Sequence, residues 1–393
     1  MSLLNEYINR RLSSIDLEQE LIRLIKEYNK IRGTYLFIYV AANGKPIPGV
    51  ELIQSDYYVI TDLLSNKDGI TNVDFYIETP GGSGETAEEI VRFLRNNFEG
   101  VSFVVSGEAK SAGTIIVLSG DEILMTETGS LGPIDAQMRI GRSVISAYDY
   151  IEWVEEKRKE ADEQKALNPF DATMIAQITP GELGSVFNAL KFAEDLVCEW
   201  LVKYKFKNWI TTETRQLPVT EDMKSKVAQD IATKLTNHSL WRSHGRSIKI
   251  ENLKEIGLTV KRVDDDLRLS DIVYRIQTVC RLLFDTTTTF KIFATAENKI
   301  FRQGVPGSAP IPVPQNRLPD VVEINQQCPN CGKTHKLYGK FAEDPQIDKD
   351  LVAKGFLPFP KDDKIICECG FTIDLSGIKN EIETQIKRKL VNN

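Results

Sequence analysis

The chain of 393 residues contains few histidines, few cysteines and no long apolar run. No uninterrupted stretch reaches the roughly 18 apolar residues that a membrane-spanning helix needs, so no transmembrane span is expected. The opening segment, MSLLNEYINRRLSS, lacks the layout of a secretory signal, and we expect none. The net charge of −7 argues against a general binder of phosphate backbones, so a nucleic-acid partner is not expected.

The six cysteines do not form the pattern of a disulfide framework. Cys198 and Cys280 are isolated in the sequence, and the other four lie in two short pairs typical of a metal site. Disulfides persist in oxidising compartments, whereas free and metal-binding cysteines are typical of a reducing one. The sequence therefore predicts a cytoplasmic protein.

Apolar segments that alternate with amphipathic segments predict an α/β fold with a largely parallel, buried sheet. We divide the chain into an N-terminal helical segment (1–32), a catalytic domain (33–297), a Pro/Gly-rich linker (298–320) and a small C-terminal domain (321–393). Helices are predicted over 15–32, 54–65, 84–97, 111–120, 148–166, 184–206 and 221–236, and strands over 34–42, 72–77, 101–106 and 121–126.

Two glycines follow a proline where the strand 72–77 gives way to the helix 84–97. The segment reads FYIETPGGSGETAEEIVRFLR (75–95), with Gly81 and Gly82 at the turn. Adjacent glycines let a backbone approach a ligand closely and direct its N–H groups at it. The turn alone does not distinguish a structural turn from a phosphate site or from an oxyanion site.

The segment SFVVSGEAKSAGTIIVLSG repeats this strand–turn–helix plan with Ser111 at the bend. Residues 109–113 resemble a nucleophile elbow in which alanine replaces the first glycine. Neighbouring parallel strands would bring the two turns together, so the backbone N–H groups of Gly81, Gly82 and Ala112 are candidate oxyanion donors. A serine before a helix is more often an N-cap, but the paired turns favour a nucleophile.

The motifs DFYIETPGG, EAKSAGT and GSLGPIDAQ (129–137) resemble the serine-dehydrogenase-proteinase family over about residues 15–297. These are serine peptidases with the Clp-protease/crotonase fold, built from repeated β-β-α and βαβ units, and they are related to Clp protease and signal peptide peptidase. The resemblance implies a Ser, Asp, His triad in that chain order, peptide substrates and a homo-oligomer.

The general base has few candidates, because the chain has only three histidines. His244, in SHGRSI, matches the family position better than His238, and Asp135, in GPIDAQ, then becomes the carboxylate that orients it. A Ser–Lys dyad is the alternative, although Lys157, Lys159 and Lys165 lie in a charged helix and Lys110 adjoins Ser111. A base lysine needs desolvation to lower its pKa.

Two thiolate pairs near the C-terminus predict a zinc ribbon. Cys328 and Cys331 lie in CPNCGKTHKL, and Cys367 and Cys369 lie in IICECGFTIDL. Four thiolates complete a tetrahedral structural Zn²⁺ site. His335 is a weaker alternative ligand, since four cysteines suffice. The ribbon also offers a surface for a protein partner.

The sequence therefore predicts a serine endopeptidase that works through an acyl-enzyme. Two other classes are also compatible with the sequence: a crotonase-type enzyme acting on acyl thioesters, and a non-catalytic adaptor that binds protein or nucleic acid through the ribbon. The Ser111 elbow favours the peptidase, because thioester hydratases need no nucleophilic serine.

Overall fold

The structure is a computed structural model, and it describes residues 2–65, 67, 69–140, 143–212, 216–304, 321–342, 345–386 and 388–391. The chain divides into two compact units, Met1–Gly307 and Ser308–Asn393.

The described residues form sixteen strands, numbered in chain order. Their bounds are β1 Tyr35–Ala41, β2 Asn72–Glu78, β3 Gly100–Val105, β4 Glu108–Ala109, β5 Glu122–Met125, β6 Ser130–Leu131, β7 Gln137–Ile140, β8 Ser143–Ser146, β9 Lys261–Arg262, β10 Thr289–Ala294, β11 Lys299–Gln303, β12 Val321–Gln327, β13 Thr334–Lys340, β14 Leu357–Pro358, β15 Lys364–Ile366 and β16 Thr372–Asp374.

The described residues also form fourteen α-helices, one π-helical turn (Leu201–Lys205) and one 3₁₀ turn (Val263–Asp265). The α-helices are α1 Leu3–Asn9, α2 Ser14–Arg32, α3 Gln54–Leu64, α4 Gly84–Asn97, α5 Ala112–Leu118, α6 Ala147–Gln164, α7 Pro169–Ile175, α8 Pro180–Trp200, α9 Glu221–Thr236, α10 His238–Trp241, α11 Ile250–Glu255, α12 Leu267–Thr286, α13 Pro345–Ala353 and α14 Ser376–Ile386. No helix in the described part of the chain is long and apolar enough to cross a membrane.

A seven-stranded sheet organises the first unit, in the order β11-β10-β1-β2-β3-β5-β9. The five strands from β1 to β9 pair in parallel, while β10 and β11 add an antiparallel edge. Parallel strands end at a common edge, so the turns after β2 and β3 lie side by side. This is the α/β architecture with a buried, largely parallel sheet that the sequence predicts.

Helices cover both faces of this sheet, because side chains alternate along each strand. In β1, Phe37 and Tyr39 enter one core, which is shared with α3, α4, α5, α8, α9 and α11. Leu36 and Ile38 enter the opposite core, which is shared with α1, α2 and α12. The apolar runs of the strands are therefore explained by burial on both sides.

The ends of the first unit differ from the predicted domain plan. The sequence sets residues 1–32 apart as an N-terminal segment, whereas the apolar face of α2 packs in the second core of the sheet. The predicted linker starts at 298, but Lys299–Gln303 forms β11 and pairs with β10. A partly buried residue, Phe301, packs against the second core. The rest of the predicted linker, residues 305–320, lies outside the described residues.

The second unit is built on two small sheets, β12-β13-β14 and β15-β16. Its core is small and includes Ile324, Leu337 and Phe359 together with the buried Cys328 and Cys367. A unit of this size buries little apolar surface, so a metal ion would add stability that the core cannot supply.

Candidate active site

The turn after β2 contains two glycines, and each allows the turn to approach a different neighbour closely. Gly81 has φ +97°, and a Cβ there would lie 2.7 Å from the Cβ of Ser111. Gly82 has φ +147°, and a Cβ there would lie 2.3 Å from the carbonyl oxygen of Leu52. Only glycine fits either position, because both lack space and have positive φ. The turn is therefore shaped for close approach to Ser111 on one side and to the backbone of Leu52 on the other.

Ser111 occupies a strained bend at the start of α5. Its φ is 49° and its ψ is −116°, a backbone conformation that L-residues rarely adopt. It occupies the N-cap position, yet its side chain makes no capping hydrogen bond. The commonest structural reason for a serine before a helix is therefore absent. A strained strand-to-helix turn that presents a serine hydroxyl is the geometry of a nucleophile elbow.

The backbone amides beside Ser111 divide into engaged and free donors. The N–H of Gly81 donates to the hydroxyl of Thr79 at 3.2 Å. Among the described residues, the N–H groups of Gly82 and Ala112 make no hydrogen bond, and both residues line the same cavity as Ser111. Of the three predicted oxyanion donors, Gly82 and Ala112 therefore have N–H groups that are free to donate. Gly81 instead permits close packing against Ser111.

Asp135 and His244 are hydrogen-bonded to each other although 109 residues separate them. The Nδ1 atom of His244 lies 2.9 Å from Oδ1 of Asp135, whose side chain is 0% exposed. A two-way backbone bridge holds the two segments together. Leu131 N–H donates to Ile248 at 3.0 Å, and Ile248 N–H donates back at 2.9 Å.

His238 binds the same carboxylate. Its Nδ1 atom lies 2.8 Å from Oδ2 of Asp135, and the Gln137 amide donates to that oxygen at 2.7 Å. Burial raises the pKa of the Asp135 carboxyl. The hydrogen bond and charge of His244, with hydrogen bonds from His238 and Ser146, outweigh that effect and hold the pKa below its usual value. Asp135 is therefore an ionised acceptor for both rings.

A cavity of about 400 Å³ lies beside the serine turn and His244. Ser111, Gly82, Ala112 and His244 line it, whereas His238 does not. Its apolar walls come mainly from the helices α5 and α8, and they include Ile115, Ile134, Ala189, Phe192 and Ala193. The sequence predicts α8 as a core helix, but nothing in its pattern identifies which positions face the cavity.

Three of the four lysines considered for a Ser–Lys dyad are engaged elsewhere, and the fourth, Lys165, is exposed. Lys110 is buried, and its Nζ reaches the carbonyls of Leu131 and Arg246 at 3.2 Å and the hydroxyl of Ser247 at 2.9 Å. Lys157 pairs with Glu160 and Asp171, Lys159 pairs with Glu163, and Lys165 is exposed. Lys110 thus fastens β6 to the segment after His244.

Four cysteines of the second unit form a compact cluster. The sulfurs of Cys328, Cys331, Cys367 and Cys369 all lie within 4.8 Å of one another. The distance is 3.7 Å between Cys328 and Cys369 and 3.6 Å between Cys331 and Cys367. Four thiolates at about 2.3 Å from one ion would lie about 3.8 Å apart, so the cluster fits a metal ion. His335 is not part of it, and its buried Nε2 atom has no partner in the described part of the chain.

Comparison with known proteins connects this geometry to a family. The model of the family described as ClpP-like SDH-type serine proteinase matches residues 57–192. An uncharacterized protein of Methanocaldococcus jannaschii is 25% identical over 249 residues, which cover 61% of this chain and 70% of that protein. A second one is 28% identical over 166 residues, which cover 41% of this chain and 54% of that protein.

Among solved structures, a mutant of the membrane-bound stomatin-specific protease 1510-N has a TM-score of 0.34 and 14% identity, with 56% of this chain and 79% of that chain covered. The family match includes Gly81, Gly82, Ser111 and Asp135, and His244 lies beyond it. The chain is thus a serine peptidase with a ClpP-like α/β fold, similar over residues 57–192 to the SDH-type serine proteinases.

Proposed function

We propose that the chain is a serine endopeptidase whose triad is Ser111, His244 and Asp135. The observation that carries the proposal is one cavity lined by a strained, uncapped serine and by a histidine hydrogen-bonded to a buried carboxylate. Because Nδ1 of His244 is engaged with Asp135, Nε2 is the nitrogen left to accept the serine proton.

In the proposed reaction, Ser111 Oγ attacks the carbonyl carbon of the peptide bond while His244 takes the hydroxyl proton. The tetrahedral intermediate collapses as His244 gives that proton to the leaving amine, which leaves an acyl-enzyme on Ser111. Water then attacks the acyl group by the same route and releases the carboxylic acid. Asp135 stabilises the imidazolium in each half of the reaction.

The oxyanion of each intermediate would accept hydrogen bonds from the N–H groups of Gly82 and Ala112. Neither N–H group has a hydrogen-bond partner in the described part of the chain, and both residues line the cavity with Ser111. Loss of one such donor typically costs about 3 kcal/mol of transition-state stabilisation. These two N–H groups, one in the first turn of α5 and one in the glycine turn, are thus preorganised donors. Their use breaks no hydrogen bond of the helix.

The walls of the cavity support a peptide substrate with an apolar side chain next to the scissile bond. Ile115, Ile134 and Phe192 offer apolar surface, and the small side chains of Ala189 and Ala193 leave room between them. Burial of an apolar side chain releases about 25 cal/mol per Å² of surface. The preference among substrates would therefore depend on the size of the apolar side chain next to the scissile bond.

The alternatives have less support. A Ser–Lys dyad needs a free amine at Ser111, whereas Lys110 and Lys157 are held by other acceptors. A thioester hydratase or an adaptor would not need an uncapped serine held in a strained turn. The peptidase proposal accounts for that turn.

The test is cleavage of an unfolded protein such as casein by the wild type and three variants. Ser111→Ala and His244→Ala should both lower kcat by orders of magnitude, since triad residues act as a unit, and Asp135→Asn by about 10⁴-fold. Near-full turnover by either alanine variant would refute the triad. Activity retained only by His244→Ala would transfer the base to a lysine.

For the cysteine cluster, we propose Zn²⁺ as a structural ion held by Cys328, Cys331, Cys367 and Cys369. Tetrahedral four-thiolate sites are typical of zinc and leave no open position for catalysis. Metal analysis of protein purified without added zinc should give about one equivalent per chain. Another metal, or none, would overturn the assignment.

Three further expectations remain proposals. The family resemblance supports a homo-oligomer, and the ribbon offers a site for a protein partner. Unpaired Cys198 and Cys280 support a reducing, cytoplasmic location. Light scattering of the purified chain would test the first of these, and a monomer at working concentration would refute it.

A further inference from the structure

The Asp135 carboxylate is shared by two histidines, and only one of them reaches the cavity. His244 Nδ1 lies 2.9 Å from Oδ1, and His238 Nδ1 lies 2.8 Å from Oδ2. His244 lines the cavity with Ser111, whereas His238 does not. His238 therefore lies one step behind the triad and does not contact the proposed substrate position.

The position of His238 is fixed from several sides. It is the first residue of the short helix α10, whose N-cap Asn237 accepts a hydrogen bond from Leu240 N–H at 2.9 Å. Its other ring nitrogen, Nε2, lies 3.6 Å from Oδ2 of Asp149 on α6. The result is a chain of groups that runs from Asp149 through His238 and Asp135 to His244.

The orientation of a buried carboxylate depends on all of its donors. Asp135 is 0% exposed, so protein groups rather than bulk solvent hold both of its oxygens. His238 and Gln137 bind Oδ2, His244 binds Oδ1, and Ser146 also contributes a hydrogen bond to the carboxylate. Removal of His238 would leave Oδ2 with a weaker set of donors, and a buried acceptor that loses a partner tends to rotate toward another.

We propose that His238 is a positioning residue of the triad. It holds Oδ2 of Asp135 so that Oδ1 stays aligned with the Nδ1 proton of His244. The proposal rests on the proposed peptidase function, and it gives a role to the histidine that the sequence ranks below His244. His238 acts through Asp135 and not on the substrate.

The expected effect is on turnover rather than on substrate affinity. Outer hydrogen-bond partners of functional histidines typically contribute about 10–100-fold. We therefore expect His238→Ala to lower kcat by about 10–100-fold, with KM within about twofold of the wild type. A merely structural defect would lower the amount of folded enzyme instead, so active-site titration is needed to normalise kcat.

His238→Asn provides the rescue. The side-chain N–H of asparagine can donate to Oδ2 much as Nδ1 of histidine does, although it cannot reach Asp149. We expect this variant to recover most of the lost kcat. Ser239→Ala is the matched control, because it removes the hydrogen bond from Ser239 to Glu152 that joins α10 to α6 and leaves Asp135 untouched. Its kcat should match that of the wild type.

The outcomes separate the two proposals. Unchanged kcat in His238→Ala, with Ser111→Ala and His244→Ala inactive, would overturn the positioning role and leave the triad standing. Equal losses in His238→Ala and Ser239→Ala, with no rescue by asparagine, would also overturn it, because the cause would be the attachment of α10. An inactive His238→Ala with an active His244→Ala would refute the proposed triad itself.

Discussion

In residues 1–307 a seven-stranded sheet with a core on each face carries the serine turn. The described residues after 320 instead place four cysteines in the turns of two small sheets. The larger unit holds a strained residue, Ser111, at the edge of a large apolar core. The smaller unit has few core residues, and two of them are cysteines of the cluster. A large core can hold strained geometry, whereas a small one depends on covalent or metal links.

Chelation of the proposed ion should unfold the smaller unit and leave the larger one folded. Structural zinc in small domains contributes on the order of 10 kcal/mol to folding. Chelation, or Cys328→Ser, should therefore expose residues after 320 to limited proteolysis while the fragment before 305 stays resistant. Cys198→Ser is the matched control, because Cys198 lies outside the cluster. Equal protection of both units after chelation would show that the smaller core suffices alone.

Ser111→Ala should give the opposite pattern in the larger unit. We expect loss of about 10⁶-fold in kcat with no loss of thermal stability, because the Ser111 side chain makes no capping bond. The measurement pairs peptide cleavage with a thermal melt. Ser185→Ala, on the exposed side of α8, is the control and should keep full activity. A large drop in melting temperature for Ser111→Ala would mean that the hydroxyl serves the fold.

Lys110→Met tests whether the site depends on a polar clamp inside the larger unit. Lys110 Nζ is buried against two backbone carbonyls and two hydroxyls. Hydrogen bonds of charged groups are worth about 1.5–3 kcal/mol each, so the loss of several should lower the free energy of unfolding by urea by at least about 3 kcal/mol.

Lys249→Met is the comparison for that loss. Lys249 also binds carbonyl oxygens, but it is only half-buried. Its replacement should therefore lower the free energy of unfolding by less than the replacement of Lys110. Equal losses in the free energy of unfolding for the two variants would contradict the proposed role of Lys110 as a buried polar clamp.

Ala193→Phe should sharpen the account of the cavity. A phenylalanine there would fill part of the cavity that Ile115 and Phe192 also line. Pocket contacts that differ by a few methylene groups typically change kcat/KM by about 10–200-fold. We expect losses of this order for substrates with large side chains beside the scissile bond, and smaller losses for those with alanine. The same fractional loss for all substrates would indicate that the cavity does not select them.

The smallest expected effect is the contribution of Asp135 to the pH dependence of the free energy of unfolding. Its hydrogen-bond partners hold the pKa of the folded carboxyl below the unfolded value of about 3.9. A depressed folded pKa contributes stability above the unfolded pKa, and this contribution is lost as pH falls through the folded pKa. Asp135→Asn should therefore flatten the acid limb of a stability-against-pH curve below about pH 4. An unchanged acid limb would contradict the ionised hydrogen-bonded state.

The elements were predictable where periodicity is strong. The predicted helices 15–32, 54–65 and 84–97 agree with α2, α3 and α4 within a residue or two, because their apolar faces repeat at helical spacing. The α/β fold with a ClpP-like family match confirms the predicted class.

The roles within the site were less accessible. Whether Gly81 or Gly82 presents a free N–H depends on one hydroxyl, that of Thr79, and no sequence pattern encodes this bond. The second histidine on Asp135 and the burial of Lys110 depend on contacts more than 100 residues apart in the chain. Such contacts form because the chain comes back to pair with Leu131 at Ile248, and local sequence patterns do not reveal this pairing.

Reaction with a fluorophosphonate probe tests the central claim most directly. Intact-mass analysis followed by peptide mapping would identify the modified residue in the wild type and in His244→Ala. The account predicts one adduct per chain, on Ser111, formed far more slowly when His244 is absent. An adduct on another residue, or undiminished labelling of Ser111 in His244→Ala, would contradict it.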